Sequence, residues 1–366
     1  MAPEPALLLT DGLLDTRFAK TAHGLLRGSH RFTPVAVVDA VHAGRDAGEV
    51  MDGRRLGVPV MENVAACLSG VLPQEPRWLV VGVAFPGGRL PVTARATVEE
   101  ALRHGLSVVC GLHKLLGDDP ELRALAEAGG GEIVDIRRPR RDPQFWTGDV
   151  FDVPAARVAV LGTDCAAGKR TTCRWLLEGC RERGVASEMI YTGQTGWLQG
   201  YPYGFIFDAT PNDFVSGELE RAIVECDRER QPDLILIEGQ SGLRNPSGPC
   251  GGEFLLSAAL DGVVLQHLPG RQFFIGLEER GCRIPSVESE VELIRSYGVG
   301  VLAVTLNGEG MESEALIAEQ ERLREVLDLP VVRPLEEGVG EILSLLERRL
   351  APSPKGEAAP EAPRTG

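Results

Sequence analysis

Short apolar runs alternate with stretches of helical periodicity along the first part of the chain. The apolar runs are continuous, which is typical of strands buried on both faces of a parallel sheet. Between them, residues 15–28 and 94–105 repeat apolar positions at helical spacing. The predicted strands are residues 6–10, 34–40, 77–84, 106–112 and 131–137. We therefore expect a Rossmann-like α/β domain over residues 1–138.

The same alternation resumes after residue 156 and predicts a second α/β domain over residues 157–350. Its predicted strands are residues 157–164, 186–193, 233–240, 261–268, 299–307 and 330–335. Residues 139–156 break both periodicities with Pro, Gly and Arg and are predicted to be a linker. Residues 351–366 lack large apolar side chains, so we expect a disordered tail there. The predicted fold class is α/β, with two doubly wound parallel-sheet domains, the second resembling a P-loop nucleotide-binding domain.

Composition restricts the possible partners. A formal charge of −15 argues against the basic surface that nucleic acids or anionic membranes require. The eight cysteines include no CxxC pair, which favours reduced thiols over a zinc cluster or a disulfide framework. No apolar segment reaches the roughly 18 residues that span a membrane, and the first residues lack the basic start of a secretion signal. We expect a cytoplasmic protein with no nucleic-acid or membrane partner.

The strongest chemical signal is the stretch "VAVLGTDCAAGKRTT" at residues 158–172. It follows a predicted buried strand and precedes a predicted helix, the context in which glycine-rich loops hold phosphate groups. Lys169 would contact the outer phosphates as a point charge and is also a candidate catalytic residue. An ordinary strand-to-helix turn remains the alternative. The candidate cofactor-binding residues here are Gly162, Thr163, Asp164, Cys165, Ala166, Ala167, Gly168, Lys169, Arg170, Thr171 and Thr172.

The spacing of this loop departs from the standard motif. The usual P-loop has four residues between its glycines, and its lysine is followed by a Ser or Thr that binds Mg²⁺. Here five residues separate Gly162 from Gly168, and Arg170 follows Lys169. The longer spacing resembles the dethiobiotin-synthetase branch of P-loop proteins. Either Thr171 or Thr172 then coordinates Mg²⁺, or the loop binds a phosphorylated ligand with little need of a metal ion.

Polar side chains close several other predicted strands of the second domain. Glu238 ends one and is a candidate Mg²⁺ ligand with Thr171, or else a solvent-facing terminal residue. Asn307 ends another and either binds a nucleotide base or caps the next loop. His267 is a candidate proton shuttle or a structural residue. Ligands of doubly wound sheets bind at the carboxyl ends of strands, so we expect these residues near Asp164.

The remaining candidates concern the substrate. Gln194 and Thr195 lie on a Gly-rich turn that either binds a carboxylate or is only a tight turn. Arg271 and Arg89 are candidate clamps for a carboxylate or phosphate. Asp213 is a candidate catalytic base, although helix capping is the commoner role of such an Asp. The first domain has no GxGxxG after its first strand, so a dinucleotide site there is poorly supported.

Together these segments resemble the DUF1611 family. The resemblance is carried by "GTDCAAGKRTT", "GQTGWL", "LIEGQSGL", "VTLNGEG" and "VVGVAFPGGRLP", and it extends over nearly the whole chain except the tail. It implies a Rossmann-like N-terminal half and a P-loop C-terminal half. Members of this family have been linked to N-acetylation of D-glutamate, which implies an acetyl-CoA donor and an acidic amino acid acceptor.

Three functions follow as hypotheses. The first is an enzyme that forms an N-acyl bond on a small, acidic amino acid, with acetyl-CoA held at the loop. The second is an ATP- and Mg²⁺-dependent ligase that activates a carboxylate as an acyl phosphate. The third is a non-catalytic nucleotide-binding regulatory protein. In each case we expect a homo-oligomer, because symmetric assemblies are common among such proteins.

Overall fold

The computed structural model describes residues 2–350 of the chain. Within them, two compact units are formed, one from residues 2–148 and 190–225 and the other from residues 149–189 and 226–350. The tail predicted at residues 351–366 lies outside the described residues. The domain boundaries predicted from the sequence stay a prediction.

The first unit contains a parallel sheet in the order β3-β2-β1-β4-β5-β6. Chain order reverses on either side of β1, as in doubly wound folds. The strands are β1 Glu4–Leu9, β2 Phe32–Val38, β3 Val60–Met61, β4 Trp78–Val81, β5 Ser107–Cys110 and β6 Ile133–Asp135. The helices are α1 Lys20–Leu26, α2 Ala47–Asp52, α3 Val64–Ser69, α4 Val92–Arg103 and α5 Pro120–Gly129.

The second unit contains parallel strands in the order β13-β12-β11-β7-β10. These are β7 Ala156–Gly162, β10 Leu234–Glu238, β11 Gly262–His267, β12 Val301–Leu306 and β13 Val331–Val332. Strand β8 (Ser187–Tyr191) pairs in parallel with β9 (Tyr203–Gly204). The helices of the second unit are α6 Lys169–Glu182, α9 Gly252–Ser257, α10 Val287–Ser296, α11 Ser313–Leu327, α12 Pro334–Glu337 and α13 Gly340–Leu350. Helix α7 Gln194–Gln199 belongs to the first unit, as does α8 Asn212–Arg230 up to residue 225.

Burial explains why these segments form strands and helices. Every residue of β10, β11 and β12 is buried, as their continuous apolar sequences require. Helix α6 buries Cys173, Leu176, Leu177 and Cys180, which recur at helical spacing, and each fully buried Leu contributes about 2 kcal/mol. The helix terminates before Gly184, whose φ of 79° suits a left-handed C-terminal turn.

Two all-parallel sheets with alternating helices confirm the predicted fold class. The strands β3 and β9 have only two residues each, and the sequence pattern did not predict them. Within residues 2–350, no helix is both long and apolar enough to cross a membrane.

Candidate phosphate-binding site

A loop between β7 and α6 carries the candidate site of the second unit. Strand β7 terminates at Gly162, where an added Cβ would lie 3.0 Å from the side chain of Lys169, so a larger residue would push the lysine side chain from its position. Gly168 has a φ of 107°, a conformation that favours glycine, and helix α6 begins at the next residue. The first amides of α6 therefore have no intrahelical partners and are available to an anion.

The side chain of Lys169 is buried and bonds to the loop backbone. Its Nζ donates hydrogen bonds to the carbonyl oxygens of Asp164 and Ser241, each at 2.7 Å. Burial lowers the pKa of the Lys169 ammonium. An ammonium has three hydrogens, and among the described residues only these two acceptors engage it. The third hydrogen remains for an anionic ligand.

Asp164 holds the loop in place through hydrogen bonds of its side chain. Its carboxylate is fully buried and accepts hydrogen bonds from Asn245 at 2.9 Å, from Arg271 at 3.0 Å and from the amide of Ile275 at 2.9 Å. Arg271 also donates to the carbonyl oxygen of Cys165 at 2.8 Å. Because removal of Arg271 would leave the buried charge of Asp164 uncompensated, the ion pair between these two residues stabilises the loop. The structure therefore gives Arg271 a structural contact, and its substrate role stays a prediction.

Arg170 lies next to the acid at the end of β10. Its Nη1 is 3.7 Å from Oε1 of Glu238, a residue that is 4% exposed. Glu238 is the last residue of β10, a fully buried strand that pairs with β7, which explains why the acid lies beside the loop. The position of Glu238 beside the loop was expected from the sequence, whereas its ion pair with Arg170 was not.

The two threonines at the start of α6 differ in their contacts. The hydroxyl of Thr172 is buried and donates to Oε1 of Gln266 at 2.6 Å. Thr305 donates to the same oxygen at 2.8 Å, so Gln266 ties β11 to α6 and β12. Within residues 2–350, the hydroxyl of Thr171 makes no hydrogen bond, and its side chain is partly exposed. Thr171 is therefore the hydroxyl that a ligand can use.

His267 and Asn307 also lie against the loop. Nδ1 of His267 is 3.0 Å from the hydroxyl of Thr163, and burial lowers the pKa of His267 to about 4. Asn307 donates to the carbonyl oxygen of Ala167 at 3.1 Å and accepts from the amide of Glu309 at 3.0 Å. The amide of Asn307 thus fixes the loop and caps the following turn, which was the alternative to base recognition.

His267, which contacts the loop through Thr163, also lines a cavity of about 460 Å³. Its wall is formed partly by His267, while Ala315 and Ala318 of α11 supply small apolar surface. Arg322 and Glu319 are paired with each other at 2.8 Å at its charged side. Sequence analysis missed this cavity because α11 carries no motif. Its remaining lining residues are Pro269 and Met311.

The other candidate residues belong to the first unit. Gln194 and Thr195 begin α7 and are buried. Gln194 accepts a hydrogen bond from Arg137 at 2.6 Å, and the Thr195 hydroxyl is 3.4 Å from that of Thr21. Asp213 is exposed in the first turn of α8, and Arg89 is exposed after a turn formed by two glycines with positive φ. Their proposed substrate and catalytic roles stay predictions.

Arg137 is a largely buried charged residue that the sequence pattern did not single out. Its side chain is only 14% exposed and pairs with Asp208 at 2.5 Å. It also donates to the carbonyl oxygen of Gly111 and to Gln194. Nε and both Nη atoms of the guanidinium donate to groups of the protein, so this cluster is structural. A cavity of about 280 Å³ beside it is lined partly by His113 and Pro139.

Fold and site together define a class: an α/β protein with two doubly wound parallel sheets and a P-loop after the first strand of the second sheet. The domain described as "Domain of unknown function (DUF1611_C) P-loop domain" matches residues 144–343. The domain described as "Domain of unknown function (DUF1611_N) Rossmann-like domain" matches residues 40–139. The chain belongs to the DUF1611 family, which confirms the resemblance found in the sequence.

Two relatives carry the name D-glutamate N-acetyltransferase. The protein from Tritonibacter scottomollicae is 30% identical over 304 residues, covering 80% of this chain and 86% of the relative. The protein from a Pseudoalteromonas species is 29% identical over 274 residues, covering 73% and 80%. A crystal structure of a DUF1611 protein from Anabaena variabilis superimposes with a TM-score of 0.85 at 28% identity, covering 94% of this chain and 99% of that one.

Proposed function

We propose that this protein is an N-acetyltransferase that moves the acetyl group of acetyl-CoA to the amine of a small acidic amino acid. The observation that carries the proposal is Lys169, a buried ammonium at the start of α6 with one hydrogen left for an anion. The diphosphate of coenzyme A supplies such an anion. The names of the relatives support the reaction class and D-glutamate as the first acceptor to test.

The loop contributes binding and orientation. The backbone amides at the start of α6 would contact the diphosphate, and Lys169 and the free hydroxyl of Thr171 would hold its outer oxygens. Asp164, Arg271 and Asn307 keep the loop in this shape before any ligand arrives. Such preorganisation lowers the ordering cost of binding. The nearby cavity of about 460 Å³ gives room for a further part of the coenzyme or for the acceptor.

Acetyl transfer breaks the carbon–sulfur bond of the thioester, forms a carbon–nitrogen bond, and releases one proton from the amine. His267 is unprotonated at neutral pH because burial lowers its pKa to about 4, so it can accept that proton. Its basicity is weak in this environment. A bound phosphate near Thr163 would stabilise the imidazolium and raise the pKa towards the working range. Asp213 stays the second candidate base predicted from the sequence.

The ATP-dependent ligase is less well supported. Its chemistry needs Mg²⁺ at the outer phosphates, whereas the acid that would order the ion is paired with Arg170. No particular contact favours the regulatory alternative.

The test is a direct assay with purified protein. Acetyl-CoA is incubated with the D and L forms of glutamate and aspartate, and both free thiol and the N-acetyl amino acid are measured, the latter by mass spectrometry. We expect thiol release that depends on one acidic amino acid, with equal amounts of the two products. Lys169→Ala serves as the loop-deficient control. Thiol release no faster than without amino acid, for all four acceptors, would contradict the proposal.

A further inference from the structure

We propose that Arg170 takes the place of Mg²⁺ in this P-loop, so that the loop binds a diphosphate-bearing ligand without a metal ion. The inference deepens the proposed function and rests on it insofar as a coenzyme diphosphate is the ligand. It identifies Arg170 as a ligand-specificity residue.

The first support is the position of Arg170 in the motif. In the standard loop, the residue after the lysine is a Ser or Thr that supplies a hydroxyl to Mg²⁺. Here that residue is Arg170, whose guanidinium supplies donors but no oxygen ligand. Successive helix residues are about 100° apart around the axis, so Thr171 faces a different direction from the usual hydroxyl. Thr172 is already used by Gln266 at 2.6 Å.

The second support is the partner of Arg170. Nη1 lies 3.7 Å from Glu238, and this acid is 4% exposed at the end of β10 beside the loop. Glu238 also acts electrostatically on Lys169, whose pKa it raises against the effect of burial. Two cations of the protein therefore already face this one acid. A Mg²⁺ ion bound there would be repelled by both, and it would have to displace Arg170 to reach Glu238.

The residues do not fit a magnesium site in other respects. Mg²⁺ requires octahedral oxygen coordination and usually retains several waters. In nucleotide sites it is held by one or two carboxylates together with the phosphates, and here the acid at the end of β10, Glu238, already faces Arg170 at 3.7 Å. The proposal therefore replaces the sequence-based prediction that Thr171 and Glu238 bind Mg²⁺.

Arginine suits the alternative role. Its guanidinium stays charged and can donate two parallel hydrogen bonds to a phosphate. Lys169 and Arg170 would supply two positive charges to the diphosphate, and Glu238 holds Arg170 in place through their ion pair. A diphosphate that undergoes no phosphoryl transfer needs no metal to stabilise a leaving group. The ligand class that fits best is a coenzyme containing an ADP diphosphate.

The test is calorimetric titration of the full-length protein with coenzyme A and, separately, with ADP, in excess EDTA and in excess Mg²⁺. We expect the wild-type dissociation constants in the two buffers to agree within about twofold. Arg170→Ser restores the usual hydroxyl, so it should bind about tenfold more weakly in EDTA and recover part of this loss with Mg²⁺. The wild-type comparison needs no variant and stands even if this substitution impairs folding.

The matched control is Arg174→Ser on the same helix. Arg174 has a side-chain exposure of 22%, against 24% for Arg170, and it pairs with Glu178 at 3.2 Å. We expect this variant to bind as the wild type does in both buffers. Wild-type binding that weakens about tenfold or more in EDTA would overturn the inference, as would no binding of either ligand in either buffer.

Failure of the inference is distinguishable from failure of the proposed function. Metal-free binding of coenzyme A without acetyl transfer would contradict the function and support the role of Arg170. Acetyl transfer together with Mg²⁺-dependent binding would support the function and contradict the role of Arg170.

Discussion

The loops that follow β1 and β7 occupy the same place in their respective sheets, yet their chemistry differs. Doubly wound sheets bind ligands beyond the carboxyl ends of their strands, so both loops are candidate sites on topology alone. After β1, the hydroxyl of Thr10 donates to Asp39 at 2.7 Å, and the amide of Leu14 donates to the same oxygen at 3.3 Å. The donors of the loop after β1 are therefore already bonded to Asp39, an acid of the protein itself.

Asp39 has no remaining capacity for a ligand. It is 1% exposed, and its other oxygen accepts from the amides of Val41 and His42 at 3.1 Å and from Nδ1 of His42 at 3.0 Å. In dinucleotide-binding Rossmann domains an acid near this position contacts ribose. After β7, by contrast, Lys169 and Thr171 keep donors for a ligand. The fold supplies two equivalent positions, and the side chains decide which of them is a site.

The largest expected effect comes from Lys169→Ala. Loss of the charged donor should reduce kcat/KM for acetyl-CoA about a hundredfold, because an interaction with the coenzyme phosphates is removed. Steady-state kinetics measures the effect. Lys114→Ala, an exposed lysine of the first unit, is the control and should retain wild-type kinetics. A Lys169→Ala enzyme within twofold of wild type would remove the loop after β7 from the mechanism.

Asp39→Asn tests the other side of the comparison. It should lower the free energy of unfolding by about 2 kcal/mol, because a saturated buried acceptor becomes mismatched with its donors. The KM for acetyl-CoA should not change. Urea unfolding and kinetics measure the two quantities. The control is Asp15→Asn, an exposed acid 3.6 Å from the other side of His42, with an expected cost below about 0.5 kcal/mol. An increased KM in Asp39→Asn would assign a binding role to the loop after β1.

The pH dependence of stability separates His267 from the exposed histidines. Its pKa is about 4 in the folded protein and 6.5 as the ordinary value, so the unfolded chain binds more protons between these pH values. The contribution of His267 to the free energy of unfolding is therefore fully present above pH 6.5 and is lost as the pH falls towards 4. Urea unfolding should show about 2 kcal/mol of loss between pH 7 and pH 5 that His267→Gln lacks. Equal losses in both proteins would contradict the buried, neutral state of His267.

The smallest expected effects distinguish the two threonines of α6. Thr172→Val should cost about 1 kcal/mol of stability, because Gln266 loses a buried donor. Thr171→Val should leave stability unchanged and weaken coenzyme A binding about threefold. Urea unfolding and calorimetry give both values for both variants. A loss of stability in Thr171→Val together with weaker coenzyme A binding in Thr172→Val would contradict this assignment of the two hydroxyls.

The sequence predicted the sheets and the loop because both depend on local pattern. Strands such as β11 and β12 are buried along their whole length, which makes their apolar runs continuous. Strands β3 and β9 were not predicted because each has only two residues and lies outside the predicted apolar runs, whereas the equally short β13 lies within the predicted run at residues 330–335. Gly162, Gly168 and Lys169 were recognisable because a tight phosphate loop constrains neighbouring residues directly.

The partners of the loop were not predictable from local pattern. Asp164 pairs with a residue 107 positions further along the chain, and Asn307 bonds to an oxygen 140 positions before it. Such contacts depend on how β11 and β12 align with β7. Arg137 likewise carries no local signal, and the fold buries it against Asp208. Long-range burial, which no sequence window contains, determined each of these environments.

Hydrogen-exchange mass spectrometry with and without acetyl-CoA, in EDTA, tests the central claim most directly. The exchange rates of backbone amides report which loop a ligand contacts. The account predicts that acetyl-CoA slows exchange in peptides covering residues 163–172 and leaves peptides covering residues 10–14 unchanged. Protection at residues 10–14 without protection at 163–172, or no protection at either loop, would contradict it.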